Sequence, residues 1–209
     1  MSWPRLRELV IKGCTKLVSL PQLPDSLEFL VADNCGSLER LDCSFNKKKF
    51  HALRFVNCFK LNQEARDLII NTSTRDLTIL PGETVPTYFS YRATGSSLSM
   101  TWNGLDTEHF PTSLRFKACI LVVYKGEVDA YDWGCPEICC CITDELNGVK
   151  HYSHRWVKWP PTSGEHLFVF EIEDAVSAPE LVFEFEYGQE NWEIKECWIH
   201  PLETLAPSC

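Results

Sequence analysis

Little in this chain ties it to a membrane or a nucleic acid. None of its 209 residues form an apolar run long enough to span a bilayer, and Met1-Ser2-Trp3-Pro4-Arg5 lacks the apolar core of a signal peptide. These absences favour an intracellular protein, cytoplasmic and with the nucleus also open to it. Positive charge is scarce: the net charge is -9, and the longest basic run, Lys47-Lys48-Lys49, stands alone between Asn46 and Phe50. Nucleic-acid binding needs clustered Lys and Arg, so the composition argues against it, and the triplet reads as a solvated loop. There is no Gly-x-x-x-x-Gly-Lys-Ser/Thr, no Gly-x-Ser-x-Gly and no Cys-x-x-Cys. The motifs of P-loop nucleotide chemistry, of a nucleophile elbow and of a zinc knuckle are therefore missing.

Cysteine, by contrast, is abundant, with eleven residues. Cys139-Cys140-Cys141 is a consecutive run, and neighbouring strand residues face opposite ways, so it cannot form a simple disulfide ladder. Reduced, buried thiols fit this usage best.

Three more cysteines mark a repeat. Leu6-x-x-Leu9-x-Ile11-x-x-Cys14-x-x-Leu17-x-x-Leu20 aligns with Leu27-x-x-Leu30-x-Ala32-x-x-Cys35-x-x-Leu38-x-x-Leu41, each position offset by 21 residues. A degenerate third unit follows as Leu53-x-Phe55-x-x-Cys58-x-x-Leu61. This is the leucine-rich-repeat pattern with Cys at its Asn/Cys position. A short strand followed by a turn explains the spacing: Leu9 and Ile11 point inward, Val10 and Lys12 outward. The thiol falls where the chain turns away and can meet backbone groups. Two and a half such units do not bury a continuous core alone, so the chain reads as a fragment with further repeats before Met1.

Residues 62–70 predict a short helix with Asn62 as N-cap, and Asn71-Thr72-Ser73-Thr74 a linker. Strands are expected at 77–80, 85–91, 97–102, 114–124, 137–143, 152–157, 166–173, 180–187 and 192–200. Their number, shortness and Gly, Pro and Asn punctuation predict an antiparallel sandwich or jelly roll. The fold class expected is mainly β: the end of a leucine-rich-repeat solenoid and cap over 1–71, then a jelly-roll or immunoglobulin-like sandwich over 72–209.

Three stretches resemble plant receptors that join a TIR domain, a nucleotide-binding module and leucine-rich repeats. They are the Leu/Cys repeat with Leu20-Pro21-x-Leu23-Pro24 between units, then Phe55-x-Asn57-Cys58-Phe59-Lys60-Leu61-Asn62. The third and most specific is Leu80-Pro81-Gly82-Glu83-x-Val85-Pro86-x-Tyr88-Phe89-x-Tyr91-Arg92-x-x-Gly95-x-Ser97-Leu98. It is similar to the signature opening the post-repeat jelly-roll and immunoglobulin-like domain of that family. The resemblance implies the non-catalytic sensing end of a disease-resistance receptor, without its NAD-cleaving and nucleotide-binding modules. Its implied partners are a pathogen effector or guarded host protein, together with the upstream repeats and nucleotide-binding module. No cofactor is implied. Pro81, Gly82, Val85, Pro86, Phe89, Arg92 and Gly95 carry the signature and read as structural, with Arg92 able to satisfy turn carbonyls.

Candidate contacts come from two places. Outward strand positions of the repeats are Glu8, Val10, Lys12, Phe29, Val31, Asp33, Arg54 and Val56, a surface that solenoids often use for partners. Trp133, Trp156 and Trp159 fall in or beside turn-rich segments, where aromatics serve partner contact, carbohydrate stacking or the core. A carbohydrate-binding sandwich and a structural lock for receptor assembly are the rival readings. Cys135, Cys139, Cys141, His151 and His154 offer metal-ligand types, but strand-core cysteines account for them and no metal is expected. Glu171, Glu173, Glu184 and Glu186 have the spacing of the solvent face of two half-buried strands rather than of a glycosidase pair.

Overall fold

The computed structural model describes residues 5–42, 45, 50–101, 114–126, 136–158, 160–174, 178–189 and 191–202; the Lys47-Lys48-Lys49 triplet lies outside them. The elements in chain order are β1 (Glu8–Val10), β2 (Ser19–Leu20), β3 (Phe29–Val31), β4 (Arg40–Leu41), β5 (Ala52–Arg54), α1 (Gln63–Asn71) and β6 (Thr78–Pro81). There follow β7 (Tyr91–Thr94), β8 (Ser97–Thr101), β9 (Leu114–Tyr124), β10 (Glu137–Asp144), β11 (Lys150–Trp156), β12 (Glu165–Asp174), β13 (Glu180–Tyr187) and β14 (Trp192–Leu202). They fall into two compact units, Met1–Pro86 with Pro161–Phe170, and Thr87–Pro160 with Glu171–Cys209.

In the first unit the 21-residue repeat becomes a parallel ladder. Leu9, Leu30, Leu53 and Thr78 stand in one register row, and Val10, Val31, Arg54 and Ile79 in the next. The inward positions Leu30, Ala32, Leu53 and Phe55 are fully buried, as the alternation requires. A second parallel pair, β2 with β4, follows the same repeat. The chain leaves each strand through a left-handed residue just before the cysteine: Gly13, Asn34 and Asn57 have φ of 69°, 60° and 60°. Gly and Asn are the residues that tolerate this conformation, which explains their presence there. The turned chain then places the thiols of the second and third units on the unit before. Cys35 Sγ donates to the Ile11 carbonyl at 2.9 Å and Cys58 Sγ to the Ala32 carbonyl at 2.8 Å.

Helix α1 begins as its cap predicts, with Asn62 Oδ1 accepting from the Ala65 N–H at 2.9 Å. It buries Ala65, Arg66, Ile69 and Ile70. Beyond it, β6 continues the parallel ladder from β5 and pairs antiparallel with the first half of β12, Leu80 opposite Leu167.

The second unit is antiparallel. Strand β14 lies between β9 and β7, and a four-stranded sheet runs β11-β10-β13-β8. Phe116 of β9 and Phe183 of β13 meet edge to face at 5.1 Å, both fully buried, so the inner faces of the two layers share one core. The mainly β, sandwich-like fold expected from the strand pattern is the fold observed.

Two local expectations are corrected. Residues 85–90 form no strand; β7 starts only at Tyr91. Pro86 lacks a ladder donor, and Tyr88 and Phe89 instead stack on each other at 4.9 Å, with Phe89 buried beside His200. Glu171 is not solvent-facing: it is buried, with Arg115 Nη2 2.7 Å from its Oε2. Strand β12 is covered on both faces around it, since Leu167, Phe168, Val169, Phe170 and Ile172 are all buried.

Candidate functional site

The repeat face splits into an exposed strip and a buried charged row. Glu8, Val10, Lys12 and Phe29 are exposed and Val31 is half-buried. The Phe29 ring stacks flat on His51, centroids 4.8 Å apart. Val10 retains half of its surface, so apolar and charged groups alternate on this strip.

Asp33, Arg54 and Val56 correct the outward reading: all three are buried. Their burial follows from mutual satisfaction. Arg54 donates from Nη2 and Nε to Asp33 Oδ2 at 3.0 and 3.3 Å, while Asp33 Oδ1 accepts the Val56 N–H at 3.1 Å. A buried ion pair with its remaining lone pair occupied avoids the cost of an isolated charge. Lys12 Nζ lies 4.0 Å from the same carboxylate, at the exposed margin.

Beside this pair sits His166, fully buried, whose Nε2 accepts the Asn57 N–H at 3.1 Å. Burial, reinforced by the Arg54 charge, lowers its pKa to about 4, so the ring is neutral near pH 7. Asn57 also donates from Nδ2 to Asn34 Oδ1 at 2.9 Å, tying consecutive turns together. Sequence reasoning missed His166 because its partner is 109 positions away. The Asn pair did leave a signal, since each residue directly precedes a repeat cysteine.

The signature residues hold backbone geometry. Buried Arg66 of α1 donates through Nη1 to the Pro81 carbonyl and through Nη2 to the Thr84 carbonyl at 3.5 Å. Gly82 has φ of 115°, and a Cβ there would collide with that guanidinium. Its N–H donates to the Glu165 carbonyl at 3.0 Å, and Val85 and Pro86 are half-buried beyond it. The contact expected of Arg92 is corrected: Arg92 Nε donates to Glu196 Oε2 at 2.9 Å and the guanidinium lies 5.6 Å from the Trp198 ring centroid. Arg92 is inside β7, directly opposite Trp198, and so reaches a neighbouring strand rather than the turn. Gly95 supplies the left-handed residue of that turn, at φ 83°, and its N–H donates to the Lys195 carbonyl of β14 at 2.7 Å.

In the second unit Trp156 is 60% exposed at the end of β11; Trp133 and Trp159 lie outside the described residues. Tyr152 is 58% exposed on the same face, and the His154 ring stacks 6.5 Å from it. Cys139 stands opposite His154 in the β10–β11 register, but His154 Nδ1 lies 2.9 Å from Glu137 Oε1. Cys135 is outside the described residues. Among those described, no three His, Cys, Asp or Glu side chains converge as metal ligands. No disulfide joins the described cysteines. Burial pushes the Cys58 thiol up to about 12 and Cys197 to about 11, and raises Cys140 well above its ordinary range. Such thiols are poor nucleophiles and poor ligands.

A parallel repeat ladder in one unit and a sandwich-like sheet pair in the other, with surface aromatics and paired buried charge, define a β-rich module. The chain belongs to the C-JID domain family, whose model matches residues 80–203. It is similar to the probable disease resistance protein RPP1 of Arabidopsis thaliana, 46% identical over 208 residues, covering 97% of this chain and 17% of that protein. It is also similar to the disease resistance protein TAO1 of the same plant, 42% identical over 205 residues, covering 92% of this chain and 16% of the relative. A third relative, the disease resistance-like protein DSC2 of Arabidopsis thaliana, is 34% identical over 238 residues, covering 95% and 19%. The chain thus spans less than a fifth of the length of these relatives. These matches agree with the resemblance to the C-terminal part of TIR-type nucleotide-binding, leucine-rich-repeat receptors. No helix among the described residues is long and apolar enough to cross a membrane.

Proposed function

We propose that this chain is the non-catalytic sensing end of an intracellular plant disease-resistance receptor, built from terminal leucine-rich repeats and the post-repeat domain. It binds a pathogen effector or a guarded host protein. The observation that carries this reading is the exposed strip of Glu8, Val10, Lys12 and Phe29, beside the buried Asp33–Arg54 pair of the repeats, in a C-JID-family chain. Exposed apolar groups interspersed with charges suit protein contact. Asp33, Arg54 and Val56 contribute as the buried support of that strip, Val31 as its half-buried margin.

The test uses the full receptor carrying this chain. Phe29→Glu with Val10→Glu is expected to weaken co-precipitation of the cognate effector or host protein at least tenfold, with the thermal unfolding temperature of the chain unchanged. Unchanged binding would remove the repeat strip from the recognition surface. Exposed Trp156 and Tyr152 support the second reading, carbohydrate stacking. Glycan binding lost in Trp156→Ala would favour it over protein recognition.

A further inference from the structure

The outer strand of the four-stranded sheet carries an open edge. β11 pairs with β10 on one side, and no other strand joins it among the described residues. Two backbone bonds at its ends set the phase of the pairing: the Val157 N–H donates to the Pro136 carbonyl at 2.8 Å, and the Asp144 N–H to the Val149 carbonyl at 2.9 Å. With Glu137 opposite Trp156 and Thr143 opposite Lys150, the odd residues of β11 bond β10. Lys150, Tyr152, His154 and Trp156 therefore direct their N–H and C=O groups away from the sheet. Among the described residues no backbone group pairs with them; the His154 carbonyl accepts from Arg155 Nη1 at 2.8 Å and keeps a second lone pair. The same four residues present their side chains on the exposed face.

Natural edges are usually blunted by Pro, by bulges or by charge distributed along the strand. β11 has no Pro, its register to β10 is regular throughout, and its exposed face carries one Lys or Arg, Lys150, and no Asp or Glu, beside two largely exposed aromatics. Such an edge is a template for another strand.

We infer that β11 pairs antiparallel with β11 of a second copy of this chain, about a two-fold axis through Ser153. The sequence Lys150-His151-Tyr152-Ser153-His154-Arg155-Trp156 is complementary to itself in that register. Lys150 faces Trp156 of the other copy, which sets an ammonium against an indole, and Tyr152 faces His154, two rings side by side. The outward residues become the hydrogen-bonded pairs, so about eight backbone bonds form and every outward N–H is satisfied. Ser153 meets its own copy at the axis, where a bulky or charged residue would clash with itself. An isologous contact of this kind closes as a dimer and does not propagate. The inference does not rest on the recognition of a foreign partner.

Sedimentation velocity of the reduced chain, from about 5 to about 500 µM, tests it together with hydrogen exchange, because an interface of one strand pair is a weak one. The expected result is a shift from monomer to dimer over that range. The amides of Tyr152, His154 and Trp156 slow with concentration, while those of His151, Ser153 and Arg155, already bonded to β10, stay constant. Tyr152→Pro removes an outward donor and leaves the β10 ladder intact, so it abolishes the dimer. Tyr152→Lys with His154→Lys keeps every N–H but sets like charges opposite each other, and weakens dimerisation at least tenfold if the proline variant fails to fold. A chain monomeric throughout the range overturns the inference. So does a dimer that survives the double lysine variant or lacks the alternating protection.

Discussion

His166 shows how a single buried side chain couples the first unit to pH. Its Nε2 accepts from the Asn57 N–H, and protonation would abolish that acceptor and set a second cation near Arg54. The folded pKa of about 4 lies below the ordinary value of 6.5, so between those values the unfolded chain binds the proton and the folded chain does not. The stability contributed by the neutral ring is thus fully present above about pH 6.5 and is lost as pH falls toward 4. The loss attributable to His166 is about 3 kcal/mol at most. Urea unfolding of the chain at pH 7 and pH 4.5, compared with His166→Gln, should show a flatter profile for the variant over this window. Identical profiles would place the acid sensitivity in other groups. Asp33 and Arg54 follow the same physics by pairing rather than neutrality, which is how two charges remain in a buried row.

At the scale of elements, the period-two alternation of strands and the turn geometry of the repeats decide what each cysteine does. In β10, Cys140 faces the core, while Cys139 and Cys141 share the opposite face with Tyr152 and His154 across the ladder. In the repeat turns, Cys35 and Cys58 are buried donors, whereas Cys14 is exposed. Burial raises the thiol pKa at Cys35, Cys58, Cys140 and Cys197, and only the thiolate reacts. Alkylation of the native, reduced chain with iodoacetamide at pH 8 should therefore label Cys14 ahead of the other described cysteines. Cys58, Cys140 and Cys197 should react only after denaturant is added, as read by peptide mass spectrometry. Fast native labelling of Cys58 would contradict the turn geometry described for it. The helix and its cap were legible from Asn62 onward, as were most strands of the second unit, because local capping chemistry and alternation are local signals. Strand β7 was not legible. Tyr88 and Phe89 have strand-forming side chains, and only their stacking beside His200 takes them out of the ladder.

At the scale of the molecule, aromatic contacts join the two layers of the second unit, Phe116 with Phe183 and Tyr187 with Trp192. Phe116 and Phe183 come from strands whose sequence separation is large, and both are fully buried. Phe183→Ala should destabilise the chain by about 3–5 kcal/mol in denaturant unfolding. Hydrogen exchange should then accelerate in both β9 and β13. A loss confined to β13 would mean that the two layers do not share a cooperative core.

The sequence by itself determined the features whose causes are local. The 21-residue register carried the parallel ladder, the Gly or Asn before each cysteine carried the turns, and the Pro81 to Gly95 signature carried the family. Only the tertiary structure decided which polar residues are buried. Glu171 and Asp33 resemble surface carboxylates in their segments, yet Arg115 and Arg54 neutralise them from other strands. Arg66 and His166 acquire their roles from Pro81 and Asn57, which lie 15 and 109 positions away. Local pattern reports the period of a strand and the chemistry of a turn. It does not report which distant side chain arrives to satisfy a buried charge, and that arrival is what fixes burial.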